Sequence, residues 1–135
     1  MKNRMFLGMM LLMLFLAACE SKPSSGEANE SKHMEVQVMT VPEDIKSGEV
    51  STLQAKVTIG GEEVNDVEKV KFELWKQGST ERQQRESKMQ GKGMYSVQHI
   101  FEEKGVYNVA VSVTAQGLQK KVQKSVEVGD VNTDE

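Results

Sequence analysis

Tyr107, Val109, Val111 and Val113 occupy every second position of a run bounded by Gly105 and Gly117. A period of two puts these side chains on one face of a strand, and a strand with one apolar face is half-buried against a second layer. The same pattern recurs along the chain: Val36 and Val38, then Leu53, Ala55, Val57 and Ile59 up to Gly60-Gly61, then Val70, Phe72 and Leu74, then Tyr95, Val97, His99 and Phe101, and last Val122, Val126 and Val128. No window sustains apolar spacing at i, i+3 and i+4, so no amphipathic helix is expected. A polar strand over Arg82 to Met89 brings the count to seven. Short strands in series with turn residues between them predict an all-β fold, an immunoglobulin-like antiparallel β-sandwich of about seven strands. Residues 33–129 suffice for one such core and leave no room for a second domain.

The only cysteine, Cys19, falls well before that pattern begins. Lys2 and Arg4 form a positive start, Met5 to Leu16 is an apolar stretch of twelve residues broken only by Gly8, and the small residues Ala17 and Ala18 follow. This is the grammar of an export signal over residues 1–18. Twelve apolar residues are too short for the ~30 Å hydrocarbon core, which needs about twenty in a helix. Leu16-Ala17-Ala18-Cys19 resembles the bacterial lipobox, which implies a diacylglyceryl group on the Cys19 thiol and cleavage just before it. Two acyl chains of the palmitate class, at roughly 0.8 kcal/mol per buried CH₂, hold a protein at a membrane where one chain holds it only marginally. The expected site is the extracytoplasmic face of the cell membrane, in the cell envelope.

Loss of the signal changes the composition that matters. Of 17 basic residues two, Lys2 and Arg4, fall within it, leaving 15 against 20 acidic and a net charge of −5. An acidic chain gains nothing from phosphate-backbone electrostatics, so nucleic acid is not an expected partner. Five of the nine methionines (Met1, Met5, Met9, Met10 and Met13) leave as well. With Cys19 lipidated, no disulfide forms and the domain is held by packing alone. Residues 20–32, ESKPSSGEANESK, contain no apolar side chain larger than alanine and read, with Cys19, as a flexible tether. Its root-mean-square reach is about 20 Å and its extended limit roughly 45 Å. Residues 130–135 read as a disordered tail.

Residues 91–117, GKGMYSVQHIFEEKGVYNVAVSVTAQG, preceded by SGEVSTLQAKVTIGGEEVNDVEKVKFELWK at 47–76, resemble the YtkA-like domain. The shared features are Gly-x-Gly-x-Tyr at 91–95, Gly-x-Tyr-x-Val-x-Val-x-Val-x-Ala at 105–115 and Phe-Glu-Leu-Trp at 72–75. The resemblance spans residues 34–129 and implies a FixH-related β-sandwich of Gram-positive lipoproteins. Where members often carry Gly-Met-His after the penultimate strand, this chain has Gly117-Leu118-Gln119-Lys120.

Several side chains carry two readings. Tyr107 sits two residues after Gly105, where a sandwich places its tyrosine corner, with the hydroxyl bonded back to main chain. His99 shares the inward face with Val97 and Phe101; it is expected at the edge of the core, and its alternative is a metal ligand. Trp75 has the opposite parity to Phe72 and Leu74. A bulge would return it to the core, and without one it stands on the outer face as a possible partner contact. The pairs Glu43-Asp44, Glu62-Glu63 and Glu102-Glu103 fall in expected turns, where solvated charge is the default and calcium ligation the alternative. Lys120 and Lys124 share parity with Val122 and Val126, so they point inward on the last strand and guard its edge. Residues 81–88, ERQQRESK, guard the opposite edge in the same way.

The sequence holds no Gly-x-Ser-x-Gly, His-Glu-x-x-His, Cys-x-x-Cys or phosphate loop, so no enzyme is expected and no catalytic residue or cofactor is assigned. The expected function is a non-enzymatic binding or accessory module, monomeric, meeting an envelope protein through its faces or loops. The alternative is a copper or small-ligand binding protein using His33, Met34, Met39 and His99. Met34 and Met39 lie five residues apart, which on one strand is about 17 Å and opposite faces, so they are not expected to chelate together.

Overall fold

A computed structural model describes residues 32–130. The expectations for the signal, Cys19, the tether before residue 32 and the tail beyond residue 130 lie outside the described residues.

Ten strands follow one another: β1 (Met34–Val41), β2 (Ile45–Lys46), β3 (Val50–Ile59), β4 (Glu62–Glu63), β5 (Lys69–Lys76), β6 (Gln83–Glu86), β7 (Lys88–Gly91), β8 (Met94–Ile100), β9 (Gly105–Ala115) and β10 (Leu118–Gly129). One sheet has the order β1-β3-β8-β7, with β4 folded back on β3, and the other has the order β2-β10-β9-β5-β6. These orders are those of an immunoglobulin sandwich, whose first strand here divides between the two sheets. The division has a local cause. Pro42 brings no N–H to a ladder, so β1 stops at Val41 and the chain crosses to the second sheet, where Ile45 and Lys46 pair with Val128 and Gly129. That pairing is parallel; every other ladder among the described residues is antiparallel.

Alternation places the core as expected. Leu53, Ala55, Val57 and Ile59 of β3, Val70, Phe72 and Leu74 of β5, and Val109, Val111 and Val113 of β9 are all buried between the sheets. Val109 lies two residues beyond Tyr107, where antibody domains carry a disulfide cysteine, and here aliphatic packing fills that place.

Two elements differ from expectation. Arg82 to Met89 is not one strand: β6 pairs with β5 in one sheet and β7 pairs with β8 in the other. The segment has no apolar face to commit it to either layer, and Ser87 Oγ, at the crossing, donates to the Val70 carbonyl at 3.4 Å. Glu62-Glu63, expected in a turn, forms β4, because Gly60 and Gly61 both adopt positive φ (60° and 82°) and close a two-residue hairpin. Lys124 agrees with its inward parity: its Nζ donates to the Val38 carbonyl of β1 at 3.4 Å, across the gap between the two sheet edges.

The sandwich has two distinct ends. The chain enters at the first, where His33 accepts a hydrogen bond from the Gly60 N–H at 3.1 Å. That end also carries the turns after β3, β7 and β9. The last strand leaves at the second end, beside the turns after β1, β5 and β8.

Candidate functional site

At the second end, three rings form a chain between the sheets. Phe101 is buried; His99 meets it edge-on at 4.6 Å and Tyr107 meets it at 4.7 Å. Tyr107 Oη donates to the Glu103 carbonyl at 2.9 Å, four residues upstream, which is the corner bond expected of it. The Glu103 carboxylate in turn pairs with Lys76 at 2.6 Å. That ammonium holds Glu103 below its usual range, and the carboxylate raises Lys76. A groove of about 320 Å³ opens here, lined among others by Trp75, Gln83, His99, Phe101 and Tyr107.

His99 is half-buried, and burial lowers its proton affinity, with Arg85 lowering it further and Glu102 opposing. Its surroundings therefore favour the neutral imidazole. Directly opposite His99 in the ladder lies Ser51, 1% exposed, whose Oγ has no hydrogen-bond partner among the described residues. The two side chains face the same interior and are not bonded to each other.

Trp75 is not returned to the core. β5 pairs with β9 residue for residue from Lys69 to Lys76, and with β6 in unbroken register, so no bulge intervenes. Strict parity wins because the β9 ladder runs through Trp75 and on to Lys76 without a shift of register. The indole stands half-buried on the outer face, and the Arg82 guanidinium lies over its ring at 4.2 Å. Arg82 also bonds Glu73, which this contact keeps below the usual carboxylate range. Beside this stack Asn108 Oδ1 accepts from Ser125 Oγ at 3.0 Å and from Gln123 Nε2 at 3.3 Å.

The sulfur and imidazole residues are dispersed. His33 is exposed at the first end and Met34 is buried opposite Ile59. His99, opposite Ser51, shares Met34's inward face but lies eight residues away along β3, about 27 Å at 3.4 Å per residue. Met39 faces outward, opposite Gln54. Among the described residues, no group of three His, Cys, Asp or Glu side chains is placed to hold a metal ion. One carboxylate of each acidic pair instead meets a lysine: Asp44 with Lys46 at 3.1 Å, Glu63 with Lys56 at 3.5 Å and Glu103 with Lys76.

Sequence reasoning missed the arrangement that closes the first end. Tyr95 Oη donates to the Val64 carbonyl at 2.8 Å and accepts from the Val67 N–H at 3.4 Å, pinning the loop between β4 and β5 into the sandwich. Beside it, Gly93 donates to Asn65 Oδ1 at 2.7 Å and its carbonyl accepts from Val57 at 2.8 Å. A Cβ at Gly93, where φ is +71°, would lie 2.6 Å from the Val57 carbonyl oxygen. The signal was present in Gly-x-Gly-x-Tyr, which reads as a turn and strand but does not name the loop it receives. A larger groove of about 590 Å³ runs along the side where the chain crosses between sheets, lined among others by Val67, Lys71, Arg85, Met89 and Tyr95.

No curated protein matches the chain. Among solved structures it is similar to the soluble domain of PmoD from Methylocystis sp. ATCC 49242 (Rockwell), with a TM-score of 0.49 and 17% identity over 73% of this chain and 92% of that one. The YtkA-like family model matches residues 28–112, from before β1 into β9, so that β10 lies beyond the matched segment. With most of its length matched, the chain belongs to the YtkA-like family.

Proposed function

We propose that this protein is a lipid-anchored, extracytoplasmic binding module that works by contact and not by catalysis. Cys19 carries the lipid, the following residues are the tether, and the sandwich meets a protein of the cell envelope. The observation that carries the contact reading is the outer face of β5, β9 and β10. There a lone indole stands at the surface on a rigid ladder, with Arg82 stacked on it and Asn108, Gln123 and Ser125 beside it. Tryptophan and arginine are the side chains that dominate binding energy at protein interfaces.

Mass spectrometry of the membrane-extracted protein tests the anchor: a diacylglyceryl group on Cys19 is expected, and a free thiol there refutes it. For the contact, a photoreactive amino acid replacing Gln123 should give one discrete crosslinked band in intact cells. That band should vanish when Trp75→Ala is added. Crosslinks indifferent to Trp75 would rule this face out.

A further inference from the structure

We infer that the opposite outer face, at the second end of the sandwich, is a docking surface for a partner segment that is apolar at its centre and cationic at its margin. Four large hydrophobic side chains are exposed among the described residues, and three of them, Val41 (52%), Val50 (56%) and Ile100 (41%), lie together. Val50 pairs with Ile100 across β3 and β8, and Val41 pairs with Thr52, two residues along β3 from Val50. Parity puts all three outward. Directly opposed side chains sit about 5 Å apart and diagonal ones about 7–8 Å, so the three form one surface. Isolated exposed aliphatics are ordinary, whereas a contiguous patch with a polar margin marks a contact site.

The margin selects the occupant. Each of the three chain segments places a carboxylate just beyond its aliphatic residue: Glu43 after Val41, Glu49 before Val50 and Glu102 after Ile100. All three are exposed, and none is in an ion pair among the described residues, although their neighbours Asp44 and Glu103 are paired with lysines. A second copy meeting this face across a two-fold axis would oppose carboxylate to carboxylate. An anionic membrane would be repelled by the same groups. A segment bearing Lys or Arg around an apolar centre satisfies both the patch and its margin.

Position agrees with this. The chain enters at the far end of β3, nine residues or about 31 Å from Val50, so the patch points away from the attachment point. This inference deepens the binding-module reading and rests on it, naming a second face and the chemistry of what it holds.

The test is a titration of the full chain, held in zwitterionic micelles, with a synthetic amphipathic peptide of Leu and Lys, followed by amide chemical shifts. A Leu and Glu peptide of the same pattern is the control. Saturable shifts at Val41, Val50, Thr52, Gln98 and Ile100 are expected with the Lys peptide only. Affinity should fall about tenfold in Val50→Ser/Ile100→Ser, and about threefold in Glu49→Gln/Glu102→Gln, whose isosteric turn substitutions leave the fold intact. Equal binding of both peptides, shifts centred on Trp75, or unchanged affinity in both variants would overturn the proposal. So would self-association that the serine variant abolishes, which would assign the face to a second copy, and so would binding of anionic vesicles through these amides. The titration does not depend on lipid at Cys19, so a free thiol there and a failed titration are separate results.

Discussion

The two ends of the sandwich each use one tyrosine, and they use it differently. At the first end Tyr95 is 4% exposed and its hydroxyl is spent on the loop it buries, beside a glycine whose positive φ and close approach to Val57 leave no room for a Cβ without a shift. At the second end Tyr107 is half-buried, its bond reaches a carbonyl near solvent, and the Phe101 ring it packs on meets a titratable histidine on another edge. One end is sealed by satisfied buried polar groups. The other is left with a half-buried imidazole, a serine hydroxyl that has no hydrogen-bond partner among the described residues, and an aliphatic patch. An end that is sealed contributes stability, and an end that is open has surface left for contact.

The sharpest way to break this contrast is at Gly93. Gly93→Ala requires a side chain at positive φ and forces its Cβ against the Val57 carbonyl, and should cost on the order of 3 kcal/mol in denaturant unfolding. A loss under about 1 kcal/mol would mean the turn relaxes and the first end is not sealed.

Removal of one hydroxyl at each end compares them directly. Tyr95→Phe leaves the buried Val64 carbonyl unpaired and should cost about 2 kcal/mol, whereas Tyr107→Phe, whose partner water can reach, should cost about 1 kcal/mol or less. Equal losses in urea melts would erase the distinction.

A smaller effect separates the ends by pH. His99 binds its proton less readily in the folded chain than at its ordinary value near 6.5, so over that interval the unfolded chain holds more protons. Stability from this group is complete above about pH 6.5 and declines as pH falls toward the lowered folded value. His99→Gln should flatten the decline in stability below about pH 6.5, while Tyr95→Phe should leave that slope in place. Glu73 and Glu103, lowered by Arg82 and Lys76, lose their contribution only further down, as pH falls through the carboxylate range. A slope that survives in His99→Gln would assign the titration elsewhere.

Much of this fold was legible in the chain because alternation is a local signal. Each strand of the core declares its own inward face, and Tyr107 announces its corner by its spacing from Gly105. Trp75 was readable too, once parity is weighed above the tendency of indoles to be buried: the β9 ladder carries β5 through it in unbroken register. What stayed hidden depends on partners distant in sequence. Tyr95 looked like one more inward strand residue, because its acceptor lies 31 residues earlier in a loop with no regular pattern. The break within Arg82 to Met89 was hidden for the opposite reason: a segment polar on both faces carries no information about which sheet it joins. The patch at Val41, Val50 and Ile100 is invisible in sequence because three residues from three strands become neighbours only through register.

The short parallel pairing of Ile45 and Lys46 with Val128 and Gly129 has a mechanical consequence. A load applied between the entry at Met34 and the exit at Gly129 runs along the strand axes, since β1 enters at one end and β10 leaves at the other. Force in that direction slides β1 along β3 and β2 along β10, so the backbone bonds of each ladder resist together, where a peeling force would open them one by one. A load between the two ends of the sandwich is therefore met by shear and not by peeling.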